Sequence, residues 1–194
     1  MRARGRAAIF GRMDGPPPAP PATAAAGYDE DFYLWSRDQA GLLRALDPRA
    51  LPPGLDLEHL AEEVAHLGKS ERNAVASHLV RMMEHLLKIA SSPNPLPGRH
   101  WRREVAAHQS DAARRFTPGM ARDLDADELW RDALALARDA LDEYGEALAP
   151  GLPERCPFGL RELLDKRLDL DAYLARLPTP PRDGGDAPGR RSPP

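Results

Sequence analysis

The segment DLEHLAEEVAHLGKSERNAVASHLVRMMEHLLKIA, residues 56–90, contains no proline and repeats apolar side chains at steps of three and four. This spacing is typical of α-helices with one buried face. Asp56 can cap the N-terminus of a first helix, while Gly68 can end it before Ser70 caps a second. We therefore predict two helices that meet at Gly68, with one long helix as the alternative. The residues predicted to face inward are Leu57, Leu60, Ala61, Val64, Leu67, Val75, Leu79, Met82, Met83, Leu86 and Leu87.

Proline-free windows on both sides of this segment show the same periodicity. Residues 28–47 place Trp35, Leu42 and Leu46 on one face, and the windows that start at Gly98 and Asp125 repeat the pattern. Two short apolar groups follow, from residue 160 and from residue 170. No alternating pattern typical of strands is present. The sequence therefore predicts an all-α bundle of four to five main helices with a short C-terminal helical cap.

The ends of the chain differ in composition from its centre. The 194 residues include 21 prolines, of which 11 fall in residues 1–26 and 178–194. We predict that these two segments are disordered tails around a single domain, residues 27–177. The single cysteine cannot form an internal disulfide, and no run approaches the roughly 18 apolar residues of a membrane span. We therefore expect a cytoplasmic protein that does not insert into membranes.

Several motifs occur together in a fixed order. They are YDEDFYLW at 28–35, DLEHLAEEVAHLGKSE at 56–71, HLLK at 85–88, Trp101, PERCPF at 153–158 and LLD at 163–165. In this order they resemble the bacterial family called domain of unknown function 29, over roughly residues 27–168. The resemblance implies an all-helical fold and no established activity. Gly159 departs from the family pattern, because a Ser or Thr is expected there to cap the final helix.

One polar face of the quoted segment could bind a metal. His59, Glu62, Glu63 and His66 are separated by steps of three, one and three, which place them on one side of a helix. Imidazole and carboxylate groups at such spacing can share a divalent metal ion. If the chain folds back at Gly68, His85 could approach Glu63 and complete the site. The preferred interpretation is a solvated surface face, which is what most amphipathic helices present.

Basic residues cluster downstream, and three further residues are predicted to anchor the structure. The arginines that could contact phosphates are Arg99, Arg102, Arg103, Arg114 and Arg115. The predicted domain carries a net charge of −7, which disfavours nucleic-acid binding. Trp35 and Trp101 are interpreted as structural anchors on apolar helix faces. Cys156 could be a reactive thiol, but a buried anchor for the C-terminal loop is the preferred interpretation.

Three functions are compatible with the sequence. The preferred one is a non-enzymatic interaction or regulatory module that binds a protein partner or forms a homodimer, without a cofactor. The second is a metal-dependent, hydrolase-like enzyme that uses the predicted Glu/His site. The third, and weakest, is a nucleic-acid accessory protein that uses the arginine cluster.

Overall fold

Six α-helices and two short 3-10 helices form the structure, a computed structural model that describes residues 27–94, 98–167 and 169–179. The α-helices are α1 (Phe32–Arg44), α2 (Leu57–Ser91), α3 (Gly98–Arg115), α4 (Ala126–Asp142), α5 (Leu160–Leu163) and α6 (Leu170–Leu174), and the 3-10 helices span Pro48–Ala50 and Pro118–Asp123. No strand occurs in these ranges. The predicted all-α fold is confirmed, with four main helices where four to five were predicted and with a short C-terminal cap. The predicted tails lie outside the described residues, apart from Pro178 and Thr179.

The long helix α2 is the centre of the bundle. Its 35 residues extend for about 52 Å, and α1, α3, α4 and α6 all pack against it. Helix α1 runs antiparallel to α2, because Arg44 at its end lies 3.6 Å from Glu58 near the start of α2. Most of the core comes from the second half of α2 and from the helices around it. The fully buried large side chains include Leu79, Met82, Met83, Leu86, Leu87, Val105, Met120, Trp130, Leu141 and Leu163.

The predicted break at Gly68 is wrong. Helix α2 continues through this residue, which is buried. A Cβ atom at position 68 would lie 1.9 Å from the Ser36 Oγ and 3.4 Å from the carbonyl oxygen of Tyr33. The glycine therefore allows a close approach of α1 to α2, a role that does not require the helix to end.

The first half of α2 is less buried than its apolar residues predict. Leu60 and Leu67, which are predicted to face inward, are 44% and 55% exposed, and Leu42 on the apolar face of α1 is 59% exposed. Helix α3 explains the difference because it ends at Arg115, which pairs with Glu71 at 3.0 Å. It therefore does not extend over the part of α2 that precedes Glu71. We call the residues of α1 together with residues 57–70 the α1–α2 arm.

Polar contacts tie the helix ends to the bundle. Asp31 is buried at the N-terminus of α1, where its carboxylate accepts hydrogen bonds from the Leu34 amide, the Thr117 hydroxyl and the Gly119 amide at 2.7–3.0 Å. At α5, Gly159 provides no side-chain cap, and its amide donates a hydrogen bond to the Glu162 carboxylate at 3.2 Å. Within the described ranges, every helix is too short or too polar to cross a bilayer.

Candidate metal centre

Helices α2 and α3 bring together one group of side chains that could hold a metal ion. His85 on α2 faces Glu104 and His108 on α3, and one ligand atom from each lies within 4.8 Å of the other two. The imidazole rings of His85 and His108 are nearly parallel, with centroids 5.9 Å apart. The Nε2 atom of His108 lies 3.8 Å from the Glu104 Oε2. Two imidazole groups and one carboxylate group are therefore close enough together to bind one ion.

His85 is the least hydrated member of this group. Its Nδ1 atom is buried and has no hydrogen-bond partner among the described residues. Burial, together with the nearby Lys88 ammonium, lowers the pKa of His85 to about 4. The ring is therefore neutral at pH 7, and a neutral imidazole is the form that binds metal ions.

His108 has a second histidine on its other side. The Nδ1 atoms of His108 and His78 are 3.1 Å apart, and the two ring centroids are separated by 5.4 Å. Burial lowers the pKa of His108, and the neighbouring His78 lowers it further. The rings of His78, His108 and His85 thus form a row along the boundary between α2 and α3.

A charged network lies beside the histidine row on α2. Glu84 is buried and accepts hydrogen bonds from Arg81 at 2.7 Å and from Lys88 at 2.9 Å. Burial alone would raise the pKa of Glu84, but these two hydrogen bonds outweigh it and hold the pKa below its usual value. The Lys88 ammonium also lies 5.4 Å from the centre of the Trp101 ring. The residues of this network lie on both sides of His85 along α2.

The structure separates the metal ligands that the sequence suggested. His59, Glu62, Glu63 and His66 are all exposed on the α1–α2 arm, and His59 bonds Asp56 at 2.6 Å. Because α2 is continuous, Glu63 and His85 are 22 residues apart on one helix, which corresponds to about 33 Å. The predicted approach of His85 to Glu63 is therefore wrong, and the partners of His85 come from α3.

Sequence reasoning missed Glu104 and His108 as ligands. The signal was present, because Glu104 and His108 are four residues apart and share one side of a helix. His78 and His85 are seven apart on α2 and also share a side. What the sequence did not provide was the register that places these two pairs against each other.

The arginine cluster is exposed on α3 and largely engaged with carboxylates. Arg102 pairs with Asp171 at 2.9 Å, Arg114 with Asp111 at 2.7 Å and Arg115 with Glu71 at 3.0 Å. These ion pairs use three of the five side chains that were considered for phosphate binding; the other two, Arg99 and Arg103, are also exposed.

The three expected anchors occupy different environments. Trp101 is buried, whereas Trp35 is only partly buried and packs edge-on against Tyr28 with ring centroids 4.8 Å apart. Cys156 is partly buried, with its Sγ 3.3 Å from the carbonyl oxygen of Phe158. Burial raises the pKa of the Cys156 thiol, which opposes thiolate formation.

Comparisons with known proteins place the chain in a family. A crystal structure of an alpha-helical protein of unknown function from Rhodospirillum rubrum ATCC 11170 matches with a TM-score of 0.73 and 35% identity, over 78% of this chain and 98% of that one. No curated protein gives a significant match. The family model described as domain of unknown function DUF29 matches residues 28–168. The chain belongs to the DUF29 family.

Proposed function

We propose that this protein binds one divalent transition-metal ion, with Zn²⁺ as the best fit, through His85, Glu104 and His108. The observation that carries the proposal is the convergence of three ligand atoms within 4.8 Å of one another. Two imidazole nitrogens and one carboxylate oxygen are donors that suit Zn²⁺. With bonds of 2.0–2.1 Å, tetrahedral ligand atoms lie about 3.3 Å apart, so small side-chain rotations would close the site.

The unsatisfied nitrogen of His85 supports the same proposal. A buried polar atom without a partner costs about 1–3 kcal/mol, and a metal ion bound at the His85 Nδ1 would supply the missing interaction. Three protein ligands leave a fourth position for water or another small ligand. The ion would also join α2 to α3. We assign no reaction to the site.

Metal content tests the proposal directly. Untagged protein purified without chelator is analysed by elemental mass spectrometry, beside the variant His85→Gln/Glu104→Gln/His108→Gln. The matched control is Glu62→Gln/Glu63→Gln/His66→Gln, which changes an equal number of similar residues on the exposed arm. We expect about one equivalent of zinc per chain in the wild type and the control and none in the first variant. Zinc absent from the wild type, or lost from the control, would contradict the proposal.

A second candidate function is self-association through the α1–α2 arm. Leu60 and Leu67 are exposed and seven residues apart, so they lie on one stripe of α2. Antiparallel packing of two copies about a two-fold axis would place Leu60 of each copy on Leu67 of the other. We propose this face as a homodimer contact.

We also propose that the protein is located in the cytoplasm, because a free cysteine such as Cys156 suits a reducing compartment.

Sedimentation equilibrium tests the homodimer. The wild type is expected to dimerise, whereas Leu60→Gln/Leu67→Gln is expected to be a monomer of the same helix content. Tyr144→Gln is a suitable control because Tyr144 is exposed and lies outside the arm. A monomeric wild type at millimolar concentration would rule this contact out.

A further inference from the structure

The contact between His78 and His108 has a chemical consequence for the metal site. Their Nδ1 atoms are 3.1 Å apart, which is a hydrogen-bond distance. When both rings are neutral, such a bond requires a proton on one of these nitrogens and a lone pair on the other. Each ring then carries its own proton on only one nitrogen, so the direction of this bond fixes the tautomer of both rings.

Two arrangements are therefore available to the pair. In the first, His108 Nδ1–H donates to His78 Nδ1, and the His108 Nε2 keeps a lone pair on the side of Glu104. In the second, His78 donates, and the proton of His108 is on Nε2, facing the Glu104 carboxylate. The Nε2 atom of His108 lies 3.8 Å from the Glu104 Oε2, so this is the nitrogen next to the other ligands. Only the first arrangement allows it to bind a metal ion.

We propose that His78 is a positioning residue of the metal centre, which accepts a hydrogen bond from His108 Nδ1 and so holds the His108 Nε2 ready to bind. This inference rests on the proposed metal-binding function. In known sites a ligand histidine usually donates its second N–H to a carboxylate or a carbonyl, which fixes the tautomer and the ring orientation. Here a neutral imidazole takes that place. When metal binds to this first arrangement, the pair releases no proton, because the His108 Nε2 carries none. When the pair starts in the second arrangement, a proton leaves His108 Nε2, another is gained at His78 Nε2, and the shared proton moves from His78 Nδ1 to His108 Nδ1, so the pair again shows no net release.

His78 does not act as a further ligand in this arrangement. Its Nδ1 is directed at the Nδ1 of His108, and the two nitrogens of an imidazole ring point away from each other. A metal ion at the His108 Nε2 would thus lie on the opposite side of the His108 ring from His78. The ion and His78 are linked only through the His108 ring.

Two substitutions separate positioning from packing. His78→Asn keeps an acceptor oxygen near the position of the Nδ1 atom, whereas His78→Leu keeps a side chain of similar bulk and removes the acceptor. Zinc affinity is measured by competition with a chromophoric chelator at pH 7.5. We expect His78→Leu to weaken zinc binding about 10- to 100-fold and His78→Asn to restore most of the affinity.

The tautomer itself is the second readout. In zinc-bound wild type, two-bond ¹H–¹⁵N spectra should place the His108 proton on Nδ1. A proton on Nε2 would overturn the positioning role even if His78→Leu does not fold. Equal zinc affinity in the wild type and His78→Leu would overturn the positioning role alone. A wild type that binds no zinc would overturn this inference and the proposed function together.

Discussion

Replacing Gly68 by alanine is expected to destabilise the protein, although alanine is the better helix former by about 1 kcal/mol. The added methyl group would lie 1.9 Å from the Ser36 Oγ and 3.1 Å from the Ser36 Cβ. Carbon atoms in contact normally lie about 3.5–4.0 Å apart. The hydroxyl can rotate away, but it would give up its hydrogen bond to the Tyr33 carbonyl oxygen, at 2.9 Å. The Ser36 Cβ can move only together with α1.

The magnitude follows from these contacts. Overpacking of a well-filled interface costs typically about 1–3 kcal/mol, and the lost hydrogen bond costs about 1 kcal/mol more. After the gain in helix propensity, we expect Gly68→Ala to lower the free energy of unfolding by about 1–3 kcal/mol. A methyl group at Gly41, in the second half of α1, would meet no neighbouring atom within 4 Å. Gly41→Ala should therefore raise the free energy of unfolding by about 0.5–1 kcal/mol.

Urea unfolding followed by circular dichroism measures both effects. The double variant Ser36→Gly/Gly68→Ala removes the atoms that obstruct the methyl group, so it should show a favourable coupling energy above about 1 kcal/mol in a double-mutant cycle. If Gly68→Ala stabilises the protein as much as Gly41→Ala does, the close approach of α1 and α2 is refuted. Additive effects of Ser36→Gly and Gly68→Ala would refute Ser36 as the obstructing residue.

Three further outcomes follow from the buried polar groups. Glu84→Gln should lower the free energy of unfolding, measured with urea, by about 3–5 kcal/mol, because Lys88 stays buried without its carboxylate partner. The second change Lys88→Met should restore most of this loss. If it restores none, the pairing of Glu84 with Lys88 is refuted. The pKa of His85 is about 4 in the folded protein and 6.5 in a free histidine, so the unfolded chain binds more protons between these values. The free energy of unfolding should therefore fall by about 1–2 kcal/mol from pH 7 to pH 5 because of His85, and this decrease should be absent in His85→Gln. An equal decrease in the wild type and the variant would contradict the burial of His85. Cys156 should react with iodoacetamide at pH 7 far more slowly in the folded protein than in urea, as measured by mass spectrometry, whereas equal rates would contradict its raised pKa.

The helices were predictable because their signals are local. Apolar periodicity and proline positions identified the helical segments of the bundle, although α2 was divided at Gly68, and they identified the short C-terminal cap. Gly68 was misinterpreted because the sequence does not distinguish a glycine that ends a helix from a glycine that allows a neighbouring helix to pack closely. Leu60 and Leu67 were misplaced for a related reason. Periodicity shows which face of a helix is apolar, but it does not show whether another helix is long enough to cover that face.

The candidate site was only partly predictable because it depends on the register between helices. His85 was included, but its partners were sought on the same segment, where the histidines and glutamates are most concentrated. Its actual neighbours, Glu104 and His108, are 19 and 23 residues away along the chain and reach it because α3 packs on the second half of α2. Nothing in the spacing of either helix specifies this register, which is set by the packing of buried side chains such as Met82 and Val105.

The position of the ligands also determines how metal binding is detected. A site formed by His59, Glu62, Glu63 and His66 would lie on one exposed face of one helix, so an ion there would add no contact between helices. An ion held by His85, Glu104 and His108 requires α2 and α3 to be packed together, as they are only in the folded protein. Zinc at 100 times its Kd would then raise the free energy of unfolding by about 2.7 kcal/mol. Because unfolding separates α2 from α3, this increase in the free energy of unfolding should be absent in the variant His85→Gln/Glu104→Gln/His108→Gln. The increase should persist in the control variant Glu62→Gln/Glu63→Gln/His66→Gln.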